Sequence, residues 1–235
     1  MKGLPTAITG LLYDVHGNLP ALEAVLADAA AAGVARWVLG GDYALFGPWP
    51  VETVDALRSL PDATWIRGNG ERWTANPSDA PDDDVVQGAI TACREALGAG
   101  AVDELAALPE EVVLASTRYC HASPVSDVRS FLPEPAEDES ELLAGVSEPR
   151  LVFGHTHLPF LRTGAHGVEL FNPGSVGMPF DGDHRAAYAI IDPDGHVEHR
   201  RISYDHEASA AAVREHFGAA AWTETVAGRI ERASV

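Results

Sequence analysis

Apolar residues come in short runs that stop at polar clusters, and these runs alternate with stretches of strong helix formers. Residues 6–13, TAITGLLY, are apolar and β-compatible and end at DVHGN. Pro20 stands where a first helical turn begins and Gly33 where that helix stops. Between them, ALEAVLADAAAA is built from good helix formers. RWVLGGD then predicts a short strand, VETVDALRSL a second helix ending before Pro61, and ATWIRGN a third strand that ends in a turn. Each strand delivers a polar cluster to its C-terminal end, where open α/β sheets place their sites.

The pattern changes after residue 75. NPSDAPDDD reads as a polar loop whose aspartates precede a helix N-terminus. DVVQGAITACREAL and VDELAALP follow as two helical patterns, so residues 82–108 read as a helical insert, a cap or side wall. From 112 onward strands dominate: EVVLAS, RYCHA, RLVFGH, FLRT, VELFNP, AAYAIID and HVEHRRIS. The acidic loop PEPAEDESE leads into a short helix around Leu142, and residues 206–231 form a helical tail. No internal repeat or low-complexity linker divides the chain, which predicts a single domain over 1–235.

Composition narrows the function classes. Hydrophobic residues make up 46% of the 235, enough for a sizeable core, yet no apolar run approaches a bilayer-spanning length of roughly 18–20 residues. The segment MKGLPTAITGLLYDVHGN reads as a first strand and not as an export signal, so a cytoplasmic location is expected, with Cys93 and Cys120 as free thiols in preference to a disulfide. Net charge is −19, from 35 acidic and 16 basic residues. That surface repels nucleic-acid phosphates, and no duplex partner is expected. Its bland reading is solubility. A phosphorylated substrate would then need positive charge that the side chains scarcely supply.

Five polar clusters at predicted strand ends carry candidate chemistry: Asp14 and His16 with Asn18 in DVHGN, Asp42 after Gly41, Asn69 after Gly68, His121 after Cys120, and His155 and His157 in GHTH. Residues i and i+2 of a strand point the same way, so Asp14 and His16 can reach one cation together. Carboxylate, imidazole and amide oxygen form a donor set suited to Mn, Fe, Zn or Ni more than to Ca or Mg alone. One histidine near a strand end is usually a hydrogen-bonded surface residue, and a lone GD or GN is usually a turn. The ordered occurrence of all five clusters is what points to a metal site.

DVHGN, GGD, RGN, the His121 that precedes Ala122-Ser123-Pro124, and GHTH followed by NPGSVG together resemble the calcineurin-like metallophosphoesterase superfamily. Within it, GDYALFGPWP and NPGSVGMPFDGDHRAAYAIID are similar to the small bacterial and archaeal phosphodiesterase branch, and the resemblance runs over about residues 6–203. It implies a four-layer αββα sandwich of two mixed sheets flanked by helices. It implies two divalent cations, manganese first with iron, zinc or nickel as alternatives. Asp14, His16 and His157 would hold one cation, Asn69, His121 and His155 the other, and Asp42 would bridge them and the attacking hydroxide. Two cations also answer the charge puzzle, since they are the largest local charges in such a site.

The sequence departs from the family at Gly70, where many members carry a histidine thought to protonate the leaving group. General acid catalysis is worth about 10²–10⁴-fold, most where the leaving group is poor. The reading is therefore a phosphodiesterase, or an esterase for good leaving groups, acting on a small phosphorylated substrate. A phosphomonoesterase or protein phosphatase, and a non-catalytic metal-binding scaffold of the same fold, are the alternatives. His184 is the candidate substitute acid, and Asn18, Arg72 and Arg185 are candidate substrate contacts, each weighed against an ordinary structural or surface role. Tyr13 stands where the family commonly has Ser, which places bulk beside the pocket.

Overall fold

The computed structural model describes residues 7–235, so the first residues of the predicted N-terminal strand segment lie outside the described part. In chain order the elements are β1 (Ile8–Leu12), α1 (Leu19–Ala31), β2 (Val34–Leu39), α2 (Pro50–Arg58), β3 (Ala63–Trp65), α3 (Asn69–Ala75) and α4 (Asp84–Ala106). Then come β4 (Glu111–Leu114), β5 (Thr117–Cys120), α5 (Glu139–Leu142), β6 (Arg150–Val152), β7 (Phe160–Thr163) and β8 (Glu169–Asn172). The chain closes with β9 (Ala186–Ile191), β10 (Val197–Ile202), α6 (His206–Phe217) and α7 (Ala221–Arg232).

Ten strands form two mixed sheets of five, in the orders β10-β9-β1-β2-β3 and β4-β5-β6-β8-β7. Their facing sides share one core, in which Leu11, Tyr13, Val38 and Ala189 of the first sheet meet Tyr119, Val152 and Phe171 of the second. Alternation along each strand sends the neighbours outward. Leu12, Leu39 and Tyr188 pack beneath α1, α2 and α4, while Leu151, Phe153 and Leu170 pack against Phe131, Leu142 and Leu143. Four layers result, as the resemblance implies. Burying one such Leu or Phe side chain stabilises by about 1.5–3 kcal/mol.

Local chemistry sets the helix ends. The Asn18 side chain accepts from Ala21 N, and Pro20 sits in the first turn of α1. Asp83 and Asp205 cap α4 and α6 through Val85, Val86 and Ala208 backbone N–H groups. The insert's two predicted helices run on as α4, broken only at Gly98, whose φ of 72° is non-helical. One element was not predicted. The turn expected after ATWIRGN is the start of α3, so Asn69 and Gly70 stand in a helix's first turn. Seven residues with Gly at the second position carry too little periodicity to signal a helix. Cys93 and Cys120 are buried free thiols. Among the described residues, no helix is long and apolar enough to cross a membrane.

Candidate metal centre

Strands β1, β2 and β3 run parallel in the first sheet, and β5, β6 and β8 run parallel in the second. The loops after their C-terminal ends meet and are sewn together by backbone. Asp14 N donates to Gly41 O (3.1 Å), His16 N to Asp42 O (2.9 Å) and Gly154 N to His121 O (2.7 Å). The structure brings all seven predicted residues into this one cluster. His16 Nε2 lies 3.1 Å from His157 Nε2, and His157 Nε2 lies 3.4 Å from Asp14 Oδ1. His121 Nε2 is 2.9 Å from Asn69 Oδ1 and 3.5 Å from Asp42 Oδ1, while Asp42 Oδ2 faces His16 Nε2 at 3.9 Å. The His155 ring stands 5.4 Å from that of His121. Asp42 thus offers one oxygen to each half. Asp14 also reaches both, its Oδ1 being 3.9 Å from His121 Nε2, although the sequence reading gave it to one half alone.

Whether these residues suit cations is decided by their lone pairs. His16 Nδ1 bonds Leu45 O (3.0 Å), His157 Nδ1 bonds Met178 O, and His121 Nδ1 bonds Gly40 O (2.8 Å). A carbonyl only accepts, so each Nδ1 carries a proton, and in the neutral form such a ring aims its Nε2 lone pair inward. The lone pairs of His16 and His157 face each other. Asp14 Oδ1 is buried without a hydrogen-bond partner, and the Asn69 amide is packed against His121, His155 and the Asp127 carbonyl. Converging unpartnered lone pairs are what a divalent cation needs and what a protein interior otherwise avoids. The donor set fits.

Charge follows the same logic. Burial, with help from His157, pushes His16 down to about 3, and burial with His121 pushes His155 down to about 4, so both are neutral at pH 7. Burial pushes Asp42 up to about 7, with Glu71 and Asp14 adding to the rise and His121 opposing it. Burial works against charge on His121, but the Asp42 and Asp14 carboxylates raise its pKa above the ordinary value. Asp14 lies below the usual carboxylate range, since His157, His121 and His16 outweigh its burial.

The backbone is as unusual as the side chains. Asp14, His16, Asp42, His155 and His157 all have φ between 50° and 68°, a region rare for residues other than glycine. Strain of this kind clusters at functional sites.

Other predicted residues are placed differently. The Asn18 amide is spent inside the protein, on Ala21 N, Gly177 O, Tyr204 Oη and Ser209 Oγ, which is loop structure and leaves no donor for a substrate. Arg72 grips Asp127 with two bonds of 2.6 and 2.8 Å. Arg185 is exposed and bound to Asp183. His184 turns Nε2 to Glu231 O and stacks on His206 at 4.4 Å. Tyr13 does not line a pocket. It lies between the sheets, in space that Gly40 and Gly154 leave by having no Cβ.

Two supports escaped sequence reasoning. Glu71, buried on α3, accepts from the backbone N–H of Asp42 (2.9 Å), Tyr43 (2.8 Å) and Gly68 (2.8 Å). Its signal was a Glu three residues after a helix cap, half of a capping box. Ser175, in NPGSVG, donates to Asp14 O (2.7 Å) and accepts from Met178 N. Gly70 also has a reason. Its N–H donates to Asp42 Oδ1 at 2.6 Å, and a Cβ there would lie 2.8 Å from the same oxygen.

Comparison with known proteins agrees with this geometry. Residues 9–196 match the model of the calcineurin-like phosphoesterase superfamily domain. A metallophosphoesterase crystal structure from Sphaerobacter thermophilus superposes with a TM-score of 0.81 at 27% identity, covering 97% of this chain and 99% of that one. An uncharacterized protein of Methanocaldococcus jannaschii is 27% identical over 85% of this chain and 88% of its own length. The Escherichia coli phosphodiesterase YfcE is 28% identical over 77% of this chain and 85% of its own length. The chain belongs to the calcineurin-like phosphoesterase superfamily.

Proposed function

We propose that the protein is a dinuclear metal-dependent phosphodiesterase, with Asp14, His16 and His157 holding one divalent cation, Asn69, His121 and His155 the other, and Asp42 spanning both. The observation that carries this reading is the convergence of three Nε2 lone pairs on the unpartnered Asp14 Oδ1 and the two oxygens of Asp42. When bound, such a pair supplies Lewis acidity to the phosphoryl oxygens and lowers the pKa of an attacking water. The chain's own residues set the frame. Carbonyls of Leu45, Gly40 and Met178 fix three imidazole tautomers, Glu71 holds the Asp42 loop against α3, and the Gly70 N–H steadies one Asp42 oxygen.

No side chain at position 70 is available to protonate a departing oxygen. The leaving group must then depart as an anion, which favours acidic alcohols and aryl diesters over alkyl monoesters. The name of the E. coli relative points the same way. Manganese is the first choice of metal for this mixed oxygen and imidazole set.

The test is turnover of bis-p-nitrophenyl phosphate, p-nitrophenyl phosphate and glycerol phosphate with Mn, Ni, Zn and Mg, beside metal analysis of the purified protein. The diester should lead, and Asp42→Asn should lose about 10³-fold or more, the scale of removing a member that acts as part of a unit. Superior turnover of glycerol phosphate would make it a monoesterase. A chain that binds no transition metal and gains nothing from Mn would be a scaffold.

A further inference from the structure

His121 also lines a neighbouring cleft of about 540 Å³, within the roughly 300–1,000 Å³ of small-molecule sites. One wall is the loop after His121, including Ser123 and Asp127, and the other carries Arg67 and Arg72. The two arginines make the cleft look like a second anion site, but both are already matched. Arg72 holds Asp127 through two bonds and has Asp79 at 3.7 Å. Arg67 gives one nitrogen to Ala106 O and another to Glu110, and its Nε is buried without a partner, out of reach of a ligand. Glu111 on the lip is engaged by Arg118, which also grips Glu148. The lining therefore sets two paired guanidiniums against three carboxylates. Among the described residues that line it, no cation is left over.

We propose that this cleft is the subsite for one organic arm of the diester, and that it admits an uncharged or cationic polar group while rejecting a second anionic one. The inference rests on the phosphodiesterase reading and narrows it to diesters of neutral or positively charged alcohols, as opposed to nucleotides bearing further phosphates. A dianion in the cleft would find both guanidiniums of the lining already paired with carboxylates, in a chain of net charge −19.

The test uses two substrates with one leaving group and one nucleoside: thymidine 5′-p-nitrophenyl phosphate and its 3′-phosphorylated form. With the Mn-loaded protein at low ionic strength, kcat/KM should be about tenfold or more lower for the 3′-phosphate. Glu110→Gln, at a lip position whose side chain is 75% exposed and forms no part of the core, releases Arg67 and should narrow that ratio at least about threefold. Equal rates, preference for the 3′-phosphate, or a ratio unmoved by Glu110→Gln would overturn the proposal. If neither diester turns over while glycerol phosphate does, the diesterase reading fails instead. Calorimetric titration of the Mn-loaded protein with thymidine 5′-phosphate and thymidine 3′,5′-bisphosphate then decides the cleft. Weaker binding of the bisphosphate supports the proposal, and equal or tighter binding refutes it.

Discussion

The candidate ligands divide by the backbone that carries them. Asp14, His16, Asp42, His155 and His157 ride on left-handed loop positions, whereas Asn69 opens α3 and His121 follows the last residue of β5. A left-handed side chain is aimed by its loop, at about 1–3 kcal/mol of strain per residue, and the loop survives only where its surroundings over-determine it. Here they do. Gly41 O, Asp42 O and Tyr43 O hold the N–H groups of Asp14, His16 and Gly17, and Asp14 Oδ2 accepts from His155 N. Asn69 and His121 spend nothing on backbone strain. Their aim depends on what holds their elements to the loops, chiefly Glu71 and the Gly40 carbonyl. One half of the centre is built by loop geometry alone, and the other joins the loop-borne His155 to two regular elements pinned to the loops.

The strongest way to break this division is at its pin. Glu71→Gln keeps the size of the side chain but puts an NH₂ where a carboxylate oxygen now accepts a backbone N–H. At least one of the three bonds to Asp42, Tyr43 and Gly68 must fail. Outer-shell losses of this kind cost about 10–100-fold in metal affinity or activity. The Mn site that includes Asn69 and His121 should weaken by that factor, while the site of Asp14, His16 and His157 changes little. Calorimetric Mn titration resolves the two. Equal weakening of both sites would show that the halves are not held separately.

The same division explains what the sequence disclosed. All ten strands and the residues that cluster at their ends were legible, because short apolar runs ending in Gly-flanked polar residues are a one-dimensional signal. α3 was not. Its roughly two turns are set by Glu71 accepting across from another loop, a contact that no local pattern encodes. The left-handed backbone was equally hidden, since Asp and His take positive φ only when tertiary bonds impose it. Arg72 and Arg185 were candidate substrate contacts in one dimension, and they prove to be paired with Asp127 and Asp183 respectively.

Acid should act on the loop side first. In the metal-free chain His16 and His155 sit at about 3 and 4, below the ordinary 6.5. As pH falls through 6.5 the unfolded chain therefore takes up two protons that the folded chain refuses. Asp42, raised from 3.8 to about 7, works in the opposite sense and keeps one proton in the folded state. His121, raised by the neighbouring carboxylates, gives up no proton relative to the unfolded chain and does not add to the loss. The unfolded chain binds one net proton more, so stability falls with falling pH by about 1.4 kcal/mol per unit. The window lies below 6.5 and above about 5, before paired carboxylates titrate. His199, lowered by burial, adds in the same direction. Urea melts of metal-stripped protein from pH 6.5 to 5 measure this. A flat profile, or stability rising on acidification, would contradict it.

The smallest effect is expected where the halves touch, at Gly70. Ala at this position adds a Cβ 2.8 Å from Asp42 Oδ1, closer than two unbonded atoms tolerate, so the carboxylate must swing by a few tenths of an ångström. The same substitution removes a glycine from the first turn of α3, which by propensity is neutral to stabilising by up to about 1 kcal/mol. The two consequences separate cleanly. Thermal stability of the metal-free protein should hold or rise, while Mn affinity and turnover of bis-p-nitrophenyl phosphate fall several-fold. That is less than the roughly 10²-fold that a full ångström of misplacement can cost. A fall in both quantities together would mean that Gly70 is required for the helix. Unchanged affinity would mean that Asp42 adapts freely and is not the rigid span between the two halves. The position where the family's histidine is absent thus reads out how tightly the loop-built and element-built ligands are locked to each other.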